Sequence, residues 1–171
     1  ELGYPADFIT FRSHPLGYGG ETCRPYLLKV ATWFDRFRGK KNRSLLLRCI
    51  IAFPAEALRI IWAFAAIFKY DVFIFSFGTS LLPNNLDLPL IRFFGKKIVS
   101  NLGFGSEARP PYLDGAQHSF LQLSVAELAN RTVSAKKILL RHEKYANYLI
   151  GAPYSTYYFS TQSFINWFAI G

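Results

Sequence analysis

At 171 residues, with 51% hydrophobic and 18% aromatic content, the chain can bury one sizeable core, which excludes an intrinsically disordered protein. Its formal net charge of +9 implies an anionic partner: phospholipid, nucleic acid or a phosphorylated substrate. The two cysteines, Cys23 and Cys49, match no metal spacing and are too few for a secreted disulfide framework, so they read as reduced thiols of a cytosolic protein.

The opening ELGYPADF reads as the end of a helix running into a strand, and the closing NWFAIG carries no polar tail or cap, so the chain reads as cut at both ends. Ala6 to Phe11 alternates like a short strand and feeds a loop rich in turn formers, including His14, Pro15, Gly17, Gly19 and Gly20. A Gly-rich loop after a strand often approaches a ligand, which makes His14 the best placed of the histidines. LGYGGE is not a phosphate-cradling GxGxxG, and a surface loop is the plainer reading.

Pro25 to Arg38 has a helical apolar pattern. A basic cluster follows, Arg36, Arg38, Lys40, Lys41, Arg43 and Arg48, opposed only by Asp35. It runs into LLLRCIIAFPAEALRIIWAFAAIF, whose charged members Arg48, Glu56 and Arg59 fall within roughly 80° on a helical wheel. Pro54 is expected to divide this segment into two helices. Its apolar runs are far shorter than the roughly 18 residues of a spanning helix. A core helix behind a solvated basic loop accounts for the pattern; so does a membrane-surface element held by Arg36, Arg38, Lys40, Lys41 and Arg43.

Tyr70 to Phe77 is a near-continuous apolar run, as in a strand buried on both faces of a parallel sheet, with Gly78, Thr79 and Ser80 at its carboxyl end. Asp87 to Phe94 reads as a short helix with Asp87 as N-cap, Pro89 in the first turn and Gly95 past the end. Lys96 to Ser100 is the next strand and NLGFGSEAR the loop after it. A helix over Ser134 to Ala146, a strand over Tyr148 to Ile150 and a possible last strand over Phe164 to Ile170 complete the order. Strands alternating with helices predict an α/β fold, a Rossmann-like parallel sheet with helices on both faces. His14, His118 and His142 share no ligand spacing, so no metal site is expected.

The stretch YDVFIFSFGTSLLPNNLDLPLIRFFGKKIVSNLGFGSEARPP, and RHEKYANYLIGAP after it, resemble the N-terminal, acceptor-side domain of family-4-type GT-B glycosyltransferases. The resemblance covers residues 70 to 171 by pattern and the rest by topology. It implies one Rossmann-like domain over 1 to 171, half of a GT-B architecture, with the C-terminal donor-binding domain absent. It implies sugar transfer from a nucleotide-sugar donor to a lipid-linked or glycan acceptor at the cytoplasmic face of the cell membrane, with no cofactor in this domain and no nucleic acid partner.

Carried over by position, Glu107 is the catalytic candidate, and Gly78, Thr79, Gly103, Gly105, Ser106 and Arg109 bind substrate. Phe104 stands where the family has histidine, and Glu107 where it has aspartate. A carboxylate at Glu107 suits an oxocarbenium-like transition state or proton removal, and Arg109 suits a phosphate. Two other functions are compatible with the residues: a non-catalytic basic module binding membrane or nucleic acid, and a Rossmann enzyme of another class. The chain by itself is expected to be inactive, since a GT-B enzyme grips its donor nucleotide mainly through the other domain.

Overall fold

A computed structural model describes residues 5–9, 25–38, 45–102, 109–113, 123–151 and 158–166, with backbone only at 36–38, 45–51 and 112. The chain divides into two compact units, Glu1–Ala66 and Ile67–Gly171.

The first unit holds helix α1 (Tyr26–Arg38) and most of helix α2 (Leu45–Lys69). Pro25 starts α1 by accepting, through its carbonyl, the amides of Leu28 and Lys29. Leu28 and Ala31 are buried. Asp35 on α1 forms an ion pair with Arg59 on α2, and Arg59 also donates to Glu56 at 2.7 Å.

Pro54 does not divide α2, contrary to expectation: one helix runs through it. A proline inside a helix removes one hydrogen bond and strains one turn, a local penalty of about 3 kcal/mol. Burial of Ala55, Trp62, Ala63 and Ala66 beyond it, together with the bridge at Arg59, offsets that penalty. No described helix is long and apolar enough to cross a membrane.

The strand expected over Ala6 to Phe11 is not formed at residues 5–9, which are irregular; residues 10 and 11 lie outside the described set. Alternation alone does not make a strand, because its amides and carbonyls need a neighbouring strand to pair with.

The second unit is an α/β fold. Strands β1 (Val72–Ser76), β2 (Lys97–Asn101), β3 (Tyr148–Gly151) and β4 (Ile165–Asn166) form one parallel sheet in the spatial order β1-β2-β3-β4. Phe73 lies beside Ile98, and Phe75 beside Ser100, which lies beside Leu149. These five side chains are buried and share one face. On the opposite face Val72, Ile74, Tyr148 and Ile165 are exposed.

Helix α3 (Leu88–Phe93) and helix α4 (Val125–Tyr145) connect the strands and pack against each other. That follows from the strand order: right-handed crossovers stepping the same way across a sheet place their helices on one face. Leu88 and Ile91 of α3 and Leu139 of α4 are fully buried, and Leu139 joins Leu102 in a cluster with Phe159 and Phe164.

Helix α4 begins nine residues earlier than the expected Ser134. Ser124 and Glu127 form a capping box there: the Glu127 amide donates to the Ser124 hydroxyl at 3.3 Å, and the Ser124 amide to the Glu127 carboxylate at 2.8 Å. Of the strand expected over Phe164 to Ile170, Ile165–Asn166 is formed and Phe164 precedes it; residues 167–170 lie outside the described residues.

Candidate functional site

Parallel strands all release their following loops at one edge of the sheet, and the turn after β1 lies at that edge. Phe77 and Gly78 both adopt left-handed backbone, with φ of 61° and 65°. Glycine takes that conformation freely; for phenylalanine it costs roughly 1–2 kcal/mol. The turn is held at both ends. The Phe77 amide donates to the Asn101 carbonyl at 2.9 Å, the Thr79 hydroxyl to the Ser76 carbonyl at 3.1 Å, and the Gly78 carbonyl accepts from the Asn85 amide group at 3.0 Å.

Asp87 explains how the loop closes on itself. The sequence marks it as the N-cap of α3, but its backbone is already helical and its side chain caps nothing in that helix. The carboxylate turns back and accepts from the amides of Leu81, at 3.1 Å, and Leu82, at 3.0 Å, and from the Ser80 hydroxyl. A fully buried carboxylate is tolerated only when its oxygens are satisfied in this way. The 3-10 turn over Pro83–Asn85 sits inside this loop, with Asn84 and Asn85 both left-handed at φ of 56° and 57°. Asparagine is among the few residues that accept that region readily.

Asn85 then ties the loop to the helix. Its side-chain oxygen accepts from the Ser80 amide at 3.0 Å, so its nitrogen is the donor to Gly78 and lies 2.9 Å from Nε2 of His142. Nε2 is therefore the acceptor, and the ring proton sits on Nδ1, 2.7 Å from the Ser100 hydroxyl oxygen on β2. His142 is fully buried, and that burial holds its pKa below the ordinary 6.5, against the opposing pull of the Gly78 carbonyl and the Asp87 charge. Arg141, the preceding residue of α4, donates to the Asn84 carbonyl at 2.7 Å.

Ser100, His142, Asn85 and Asp87 resemble a proton relay by composition, but all four are buried. Their side chains are closed off from solvent. Their chemistry is positional: they fix a strained turn at the mouth of the sheet to β2 and α4, leaving Thr79 and Phe77 exposed. The histidine is a satisfied core residue holding a loop. The PNN run and the buried face of α4 carry this network, and sequence reasoning missed it because His142 shares no spacing with the other histidines.

The expected substrate residues distribute unevenly. Gly78 is buried, with its carbonyl engaged, while Thr79 presents an exposed side chain. β2 ends at Asn101, in register with Ser76, so the segment after β2 leaves the sheet beside the β1 turn. Gly103, Gly105, Ser106 and Glu107 of that segment lie outside the described residues, as do His14, Lys40, Lys41 and Arg43. Arg109 is described and is half-buried just before the 3-10 turn Pro111–Leu113. Arg36 and Arg38 end α1, where the backbone alone is described. No protein-family model, curated protein or solved structure matches the chain.

Proposed function

We propose that the chain is the acceptor-side half of a nucleotide-sugar glycosyltransferase of the GT-B type, acting on a lipid-linked or glycan acceptor at an anionic, cytoplasmic membrane face. One observation carries the reading: a parallel sheet whose β1 turn, Phe77 to Thr79, is held rigidly at the carboxyl edge, beside the strand end that leads into residues 103 to 109. In open α/β sheets ligands bind outside the carboxyl ends of the strands. Pre-organising one loop there lowers the ordering cost of binding.

In this reading the acceptor hydroxyl attacks the anomeric carbon of the donor as the bond to the nucleotide phosphate breaks. Glu107 takes the hydroxyl proton or stabilises the positive charge that develops at the sugar. Arg109 holds a phosphate of donor or lipid acceptor, Ser106 donates a hydrogen bond, and Gly103 and Gly105 let ligand approach the backbone. Thr79 lines the acceptor side from the neighbouring strand end.

The test is sugar transfer by a protein carrying this chain together with its donor-binding domain, using a panel of nucleotide sugars and lipid-linked or soluble acceptors. Glu107→Ala is expected to lower kcat at least about a hundredfold, the range lost when a general base is removed. Arg109→Ala is expected to raise KM. Undiminished transfer by Glu107→Ala would remove Glu107 from the site, and no transfer from any donor would remove the enzyme reading. A non-catalytic membrane module is the second reading, favoured by the apolar residues that α2 leaves in solvent.

A further inference from the structure

Helix α2 is apolar on two sides, and only one of them is covered. At about 100° per residue, Phe53, Ile60, Phe64, Phe68 and Ile61 fall within an arc of roughly 100°. All five are exposed: Phe53 by 77%, Ile61 by 56% and Phe68 by 66%. The buried residues Ala55, Trp62, Ala63 and Ala66 lie on the other side, and the charged Arg59, with its partner Glu56, lies with them. A helix packed on a water-facing protein covers one apolar side and turns polar residues to solvent on the other; α2 turns apolar ones.

The stripe runs about 22 Å along one helix, and an apolar surface of that extent is an interaction site or a liability. Charge indicates the occupant. Arg36, Arg38, Lys40, Lys41, Arg43 and Arg48 precede or open α2 in sequence, and the whole chain carries +9. A second copy would bring together two chains that each carry +9. An anionic bilayer offers hydrocarbon for the rings and phosphates for the cations, the pair of signals that stable peripheral binding needs.

We propose that α2 lies in the plane of an anionic membrane, with Phe53, Ile60, Ile61, Phe64 and Phe68 sunk to the acyl boundary and the chain's excess of positive charge drawing it to anionic headgroups. The helix is too short of apolar length to span, so it anchors on one leaflet. This inference rests on the membrane half of the function proposed above and is independent of sugar transfer.

Flotation of the chain with phosphatidylcholine vesicles, with and without about one third phosphatidylglycerol, tests it at roughly 0.1 and 0.5 M salt. The chain is expected to float with the anionic vesicles and to keep most of its binding at the higher salt. Phe53→Glu with Phe64→Glu is expected to lower partition by about tenfold or more, with unchanged circular dichroism because both positions face solvent. Phe64→Trp keeps the aromatic bulk and is expected to show quenching by brominated acyl chains beyond that of the parent chain.

Absence of flotation overturns the proposal. Equal partition by the parent and the double variant also overturns it, as does a lack of added quenching, since either leaves only headgroup electrostatics. A dimer that Phe64→Glu dissociates, with no flotation, assigns the stripe to a second copy. Flotation that persists in a protein without transferase activity overturns the enzymatic reading and leaves this one standing.

Discussion

The β1 turn hides a network of polar groups, and helix α2 shows a stripe of apolar ones. Around the β1 turn, Asn85, Asp87, Ser100 and His142 are buried, and each finds hydrogen-bonding partners within the same network. Along α2, by contrast, phenylalanine and isoleucine side chains stand in water while Arg59 is largely covered. The difference teaches two separate things. A buried polar cluster is compatible with a stable core when every strong donor and acceptor is matched, and it then specifies one loop geometry. An exposed apolar stripe gains nothing from the fold and indicates a surface outside it.

The largest effect is expected at Asp87. Asp87→Ala leaves the Leu81 and Leu82 amides without their acceptor inside the protein, while the Ser80 hydroxyl keeps the Asn85 oxygen at 3.0 Å, and is expected to cost about 4 kcal/mol of unfolding free energy in urea. A loss under about 1 kcal/mol would mean that water replaces the carboxylate and that the turn is not rigid.

A smaller effect comes from pH. The folded-state pKa of His142 lies below its ordinary 6.5, so the unfolded chain takes up a proton before the folded one does. The stability this group contributes is complete above about pH 6.5 and is lost as pH falls from there toward the lowered folded value. Urea unfolding between about pH 7.5 and pH 5 should therefore show stability declining with acid, and His142→Gln should flatten that slope. Parallel slopes for the two proteins would place the titration elsewhere.

The smallest effect is expected in the first unit. Arg59→Met removes the ion pairs to Asp35 and Glu56 and is expected to cost about 1 kcal/mol, because both carboxylates are partly solvated and gain water when the guanidinium leaves. A loss as large as that at Asp87 would erase the contrast between the two units.

Much of the second unit was legible from local pattern. The apolar runs at β1 and β2 and the short helix after Asp87 sit within about two residues of their expected places, because each is short, strongly patterned and bounded by Gly or Pro. Where local pattern failed, a long-range partner or a competing local bond decided. Ala6 to Ile9 alternates but has no strand to pair with in the described residues. Asp87 has the right residue type for an N-cap, yet its carboxylate is captured by the loop before it. The start of α4 was readable as the S-x-x-E of Ser124 and Glu127, and weak apolar periodicity over Ala126 to Val133 concealed it.

The sequence by itself determined the α/β class, the alternation of strands and helices after Tyr70 and the concentration of positive charge before α2, because each follows from composition, short-range periodicity and charge. Tertiary structure alone decided that one helix runs through Pro54, that His142 is a neutral brace for the β1 turn, and that one of the two apolar sides of α2 faces outward. Those outcomes depend on which surfaces meet. Burial and hydrogen-bond pairing between residues as far apart as Asn85 and His142 are properties of the folded chain, and no local pattern encodes them.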